Sequence, residues 1–236
     1  MTISMSLDDQ GRRPLGHWLT WSSAAYLLLL VVMTVLNAAA APSGATLTDK
    51  LVDLAGGDAL YRWGFVAASL VPVVVVALLA VVALGLAAPS QGEGPTGARL
   101  ASWVGIFLVA TYAPLSAAAY ATQYTVFPWL LRRDPGAAAF WAFVNEEGLP
   151  LTVDLLAYAI WGAGALVIAW PLIARPGAYR WMGWSLAASG ILSLAAFAAH
   201  AAGSGLAGPL SIAGGVLTVP FAVVALLLGR KFAQTG

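Results

Sequence analysis

Six long runs of apolar residues, at about 18–40, 61–88, 101–128, 150–173, 181–203 and 206–229, are set apart by short polar segments. Each run exceeds the roughly 20 residues that a helix needs to cross a bilayer. The separators APSGATLTDK, APSQGEGPTGAR, RRDPG, RPGAYR and AAGSGLAGP are rich in the residues that end helices and make turns. The pattern predicts an all-α, polytopic transmembrane helix bundle of six spans, forming a single domain over residues 1–236.

The loop after the first run and the loop after the third are the longer ones, and each predicts a short amphipathic helix. In the first, Leu47, Leu51 and Leu54 recur at helical spacing, Gly56 and Gly57 stop the pattern, and Asp58 is placed to cap the next span. In the second, Asp134 and Pro135 read as a cap and first turn of a helix carrying Phe140, Trp141, Phe143 and Val144, ended by Gly148. Such helices are expected to lie flat in the membrane interface.

The first run has features of a secretory signal, with Arg12 and Arg13 before it and AAAAPSG after it. Its apolar length exceeds that of a signal core, which favours a retained first helix. Orientation follows from the basic residues. Arg12, Arg13, Arg99, Arg175, Arg180, Arg230 and Lys231 share the side of the termini; Lys50, Arg62, Arg132 and Arg133 lie opposite. The positive-inside rule places both termini in the cytoplasm, in a multi-pass protein of the cell membrane.

Composition agrees. The chain is 61% hydrophobic and 9% charged, with a mean hydropathy of +0.85, so most of its surface is expected to face membrane lipids. A formal net charge of +1 leaves no field to hold nucleic acid. Cysteine is absent, which removes disulfides and thiolate chemistry. No phosphate-binding glycine loop, metalloprotease motif or acid-rich metal motif occurs, so neither a metal nor a cofactor is expected. YRWGFVAAS at residue 61 and YRWMGWSLAAS at residue 179 suggest an inverted repeat of three helices. LYRWGFVAASL, about a dozen residues entering the second span, resembles the corresponding stretch of uncharacterised bacterial six-helix membrane proteins. That resemblance implies the span count and no chemistry.

The candidate chemistry collects at the outer end of the bundle. FVNEEGLPLTVDLLAYAIWG places Glu146, Glu147 and Asp154 at the entrance to the fourth span. Asp154, Tyr158 and Trp161 share one helical face, as do Tyr120, Gln123, Tyr124 and Phe127 on the third span. Asn37 ends the first span, Tyr61 and Arg62 begin the second, and His200 closes the fifth, whereas His17 lies at the opposite end. An acid in a spanning segment requires an interior partner, for which Arg62 and His200 are the candidates. Paired with a cation it stays ionised; alone in an apolar setting its neutral form is favoured and it can donate a proton.

Three functions follow as expectations. The first is a protein binding or sensing a small amphiphilic, lipid-like ligand through Asp154, Tyr158, Trp161, Tyr120, Gln123, Tyr124, Arg62, Asn37 and His200. Its pocket would open outward between the third, fourth and fifth spans, roofed by the interfacial helices. The second is an intramembrane enzyme that cyclises or isomerises an isoprenoid or lipid, with Asp154 or Glu146 as acid and His200 or a tyrosine as partner. The third is a small transporter, or a subunit of one. Pro72, Pro114, Pro209 and Pro220 interrupt apolar helices, with Thr111 and Ser116 available to a hinge at Pro114, and Ala207, Ser211 and Gly215 are expected to let backbones approach.

Overall fold

The computed structural model describes residues 9–56, 59–87 and 96–235. Asp8, Gly57, Asp58 and Glu93 lie outside the described residues, and with them the expected Asp58 cap. Six helices are long and apolar enough to cross a membrane. They are α1 (Asp9–Ala39), α3 (Ala59–Val82, prolonged by a π-helical turn at Ala83–Ala87), α4 (Thr96–Ala121), α7 (Leu149–Ile173), α8 (Ala178–Ala201) and α9 (Ala207–Thr235). Three short helices, α2 (Leu47–Ala55), α5 (Val126–Leu131) and α6 (Pro135–Trp141), cover one end, here called the crown. The other end carries the beginnings of α1, α4 and α8 and the ends of α7 and α9.

The spanning helices stand in a closed ring. α1 packs on α3, α3 on α4, α4 on α7, α7 on α8, α8 on α9, and α9 returns to α1. A helix satisfies its backbone polar groups internally, which is what a lipid solvent demands of a spanning segment. Trp18, Trp21, Trp103, Trp170, Trp181 and Trp184 are exposed around the end opposite the crown, and Trp63, Trp129 and Phe140 around the crown. Two aromatic girdles of this kind are what membrane–water interfaces select.

Glycine lets several neighbours touch. A Cβ on Gly162 of α7 would lie 2.6 Å from the Gly190 carbonyl oxygen of α8, and one on Gly190 would lie 2.7 Å from that of Gly162. Gly105 of α4 meets Gly164 and Ile168 of α7 in the same way, and Gly16 of α1 meets Gly229 and Ala233 of α9. These contacts bring backbones together, and of the three residues expected to do so on α9, Ala207 is buried in one cluster with Leu155 of α7 and Ala196 of α8. A Cβ on Gly215 meets nothing within 4 Å, so this stretch of α9 leaves space where packing was expected.

Several expected boundaries move for identifiable reasons. The first span extends back to Asp9 and the last forward to Thr235. The third, expected to reach residue 128, covers Gly97–Leu131 as a whole but breaks where α4 ends at Ala121, with turns at 122–125 before α5 begins. Pro128 then sits in the first turn of a separate helix, α5, where its missing N–H is harmless. α6 ends at Trp141 and not at Gly148, because the Asn145 side chain donates to the Ala139 carbonyl at 3.0 Å. Gly148 instead precedes α7. Pro209 lies in the first turn of α9 and interrupts nothing. The hinge expected at Pro114 lacks its hydroxyls: Thr111 donates to the Phe107 carbonyl and Ser116 to Asp154.

In α2, Thr46 donates its hydroxyl to Asp49 at 2.7 Å and its N–H at 3.0 Å, while the Asp49 N–H returns to the Thr46 oxygen at 3.2 Å. The hydroxyl bond first, then the backbone bond, holds the Asp49 carboxyl below the usual carboxylate range. The folded value lies below the unfolded one, so this support for α2 is present above the unfolded value and is lost as pH falls through the folded one. Asp49 is therefore expected to titrate below free aspartate when followed by its carboxyl carbon resonance; a midpoint at or above the free value contradicts the capping box.

Candidate functional site

The centre of the ring is hollow. Polar and aromatic side chains reach it at helical spacing: Tyr26, Leu30, Met33 and Asn37 from α1, Tyr112 and Tyr120 from α4, and Tyr158 and Trp161 from α7. Ser189 of α8 and Ser211, Gly215 and Thr218 of α9 close the wall around a volume of about 640 Å³. Tyr112 packs at a tilt against Tyr158 and Trp161 with ring centroids 5.9 and 5.3 Å apart. Trp161 donates its indole N–H to Ser189 at 3.4 Å, and Tyr26 is hydrogen-bonded to Thr218 across the α1/α9 seam. None of the described residues lining the cavity is charged.

The cavity has a mouth. Val31 and Val35 of α1 and Ile212 and Val216 of α9 line it, yet they are 59%, 60%, 70% and 60% exposed on the outside of the bundle. α1 and α9 touch at Gly16 and Gly229, far from the crown, and part towards it. The opening is lateral, between the first and sixth spans, and not outward between the third, fourth and fifth.

Asp154 stands behind the tyrosines. It is buried, receives the Ser116 hydroxyl on Oδ1 at 2.5 Å and the Tyr120 hydroxyl on Oδ2 at 3.0 Å, and Tyr120 lies 3.5 Å from the Tyr158 hydroxyl. Its partners are thus hydroxyls. Neither expected cation is among them: His200 meets Thr152 at 3.1 Å, and Arg62 lies in a surface groove. Ser116, Tyr120, Asp154 and Tyr158 make a chain that runs from a buried carboxyl to the cavity wall.

Of the residues expected to bind a ligand, Asn37, Tyr120, Tyr158 and Trp161 meet at the cavity, with Asp154 behind them. Gln123 does something else. Fully buried, it accepts from Tyr61 at 2.9 Å and from the Phe143 N–H at 3.0 Å. It donates to the Trp141 carbonyl at 2.9 Å and to Thr122 at 2.8 Å, tying the crown to α3 and α4. Tyr124 pairs with Ser69 at 3.2 Å in the same layer. Glu146 is exposed in the turn after α6, whereas Asp154 is buried against Ser116 and Tyr120 and His200 meets Thr152.

Tyr26, Tyr112, Ser189 and Thr218 were not singled out by sequence, and Ser211 was singled out only for packing. Tyr112, Ser116 and Tyr120 do recur every fourth residue, which was the available signal. Asn37 has an unusual status, since its buried Oδ1 has no hydrogen-bond partner and lies where a Cβ on Gly64 would approach within 2.1 Å.

The fold and the cavity define a class, that of a multi-pass α-helical membrane protein whose ring of six helices holds a mainly apolar chamber with several hydroxyls in its wall. No family model, curated protein or solved structure matches the chain.

Proposed function

We propose that this protein binds a small amphiphile with an uncharged polar head, taken from the lipid phase through the gap between α1 and α9. It resides in the cell membrane with both termini in the cytoplasm, and α2 and α6 lie in the outer interface over the chamber. The observation that carries this reading is the lateral mouth: apolar, open to the lipid-facing surface, and continuous with a chamber of about 640 Å³. That size falls within the roughly 300–1,000 Å³ typical of small-molecule sites. Hydroxyls and the Asn37 amide offer hydrogen bonds, but the described lining residues offer no counter-charge, so an ionic head would be desolvated without compensation.

The test uses a photoreactive isoprenoid alcohol as probe, with protein in detergent. Gly215→Phe is the informative variant, because its new side chain enters open space at the mouth without meeting backbone. Wild type is expected to be labelled on cavity residues, and Gly215→Phe to lose most of the label while keeping its helix content. Equal labelling of the two proteins removes the proposal.

One observation favours a second reading. The chain from Asp154 through Tyr120 to Tyr158 suits delivery of a proton to a double bond in the chamber and recovery of one from the product, which is an isomerisation. In that reading Asp154 is the acid without His200 or Glu146. Tyr120→Phe is then expected to abolish product formation from a polyene while probe labelling persists; product formed at an unchanged rate rules it out.

A further inference from the structure

A second site is built at the crown, on the outside of the ring. Leu54 of α2, Tyr61 and Arg62 of α3, Phe127 and Leu131 of α5, and Arg132 just after it line a groove of about 300 Å³. Its walls mix apolar side chains with polar surface that includes two guanidinium groups, and neither Arg62 nor Arg132 makes a hydrogen bond or ion pair with a described residue. The nearby acids among the described residues are committed elsewhere: Asp49 to Thr46, Asp53 to Ser43 at 2.7 Å, and Asp134 to the Ala137 N–H at 3.0 Å. Arg133, by contrast, is occupied, with its guanidinium 4.7 Å from the Trp129 ring centre.

Two guanidinium groups that border one groove, unpaired among the described residues, offer donors to an oxyanion. The planar fork of arginine matches phosphate bidentately, which a point charge does not. The groove does not end at the arginines. Arg62 also borders a second hollow with Ala59, Trp63 and Val66, on the outer face of α3. Below it, Leu70 and Val73 are 49% and 56% exposed along the same helix. Trp63, Trp129 and Phe140 mark this level as the aromatic girdle, where lipid headgroups meet hydrocarbon.

The structure assigns to Arg62 and Arg132 a phosphate-binding site whose occupant is a phosphate ester, with an apolar track along α3 for the chain of a phospholipid. This site is separate from the ring chamber and does not depend on what the chamber holds. It also accounts for Arg62, whose side chain the chamber excludes.

Native mass spectrometry of the protein in a neutral detergent tests it, with phosphatidylglycerol and a diacylglycerol of the same chains as probes. Wild type is expected to retain phosphatidylglycerol over diacylglycerol by about tenfold, the worth of one charge-assisted contact. Arg62→Gln with Arg132→Gln is expected to abolish that preference, and Arg133→Gln to leave it intact. All three side chains are exposed, so helix content measured by circular dichroism should not change. Equal retention of the two lipids by wild type, or an undiminished preference in the double variant, overturns the assignment. Titration with millimolar inorganic phosphate separates the sources. Resistance of bound phosphatidylglycerol identifies the occupant as a lipid headgroup, displacement as a soluble phosphate ester, and both outcomes support the arginine site.

Discussion

Gln123→Leu is expected to lower stability by roughly 3–6 kcal/mol, since each buried polar group left unpaired costs about 1–3 kcal/mol. Leucine fills much of the space but leaves the Trp141 carbonyl, the Phe143 N–H and the Tyr61 hydroxyl without the bonds they make to Gln123. All three lie in or against the crown, where water is largely shut out. Thermal unfolding in detergent is the measurement, and a loss below about 1 kcal/mol would mean that water replaces the amide. Gln123 stands outside the chamber, so the folded fraction should bind the isoprenoid probe as wild type does. That separates its structural role from the ligand-binding role its spacing suggested.

A second large effect is expected at Gly162. Its substitution by leucine places a Cβ 2.6 Å from the Gly190 carbonyl oxygen, a backbone atom that no rotamer change can move aside. α7 and α8 must then separate, at a cost of about 3 kcal/mol. The separation also breaks the bond from Trp161 to Ser189, so both stability and probe binding should fall. Gly215→Ala is the control, because its added methyl meets nothing within 4 Å and should be tolerated. If Gly162→Leu unfolds no more readily than Gly215→Ala, the close approach of α7 and α8 is not a determinant of the ring.

The number and approximate limits of the spans were legible because a lipid solvent demands long apolar runs, and composition records that demand directly. So was the cap at Asp134, where the side chain and the following proline act within a single turn. The arrangement of the spans was not. In a soluble helix the polar face marks the outside, but here the lipid-facing side of α1 or α9 is as apolar as the core, so periodicity does not say which face turns inward. For that reason Tyr26 and Thr218, 192 residues apart, could not be paired in advance. The partner of Asp154 was sought among cations because an intramembrane acid invites one. It was instead found in the hydroxyls of Ser116 and Tyr120, whose spacing from each other was plain but whose distance from α7 was not.

The order of helices around the ring bears on how the protein is made. Five of the six interfaces join spans that follow one another in the chain, so each can form as soon as its second helix is inserted. The interface of α1 with α9 is the exception and must wait for the final span. Until then the chamber has no wall on that side and is only a trough facing lipid. Completion of the ring and creation of the ligand-sized volume are therefore one event, and an amphiphile lodged between α1 and α9 would act on biogenesis as a template for the last step of assembly.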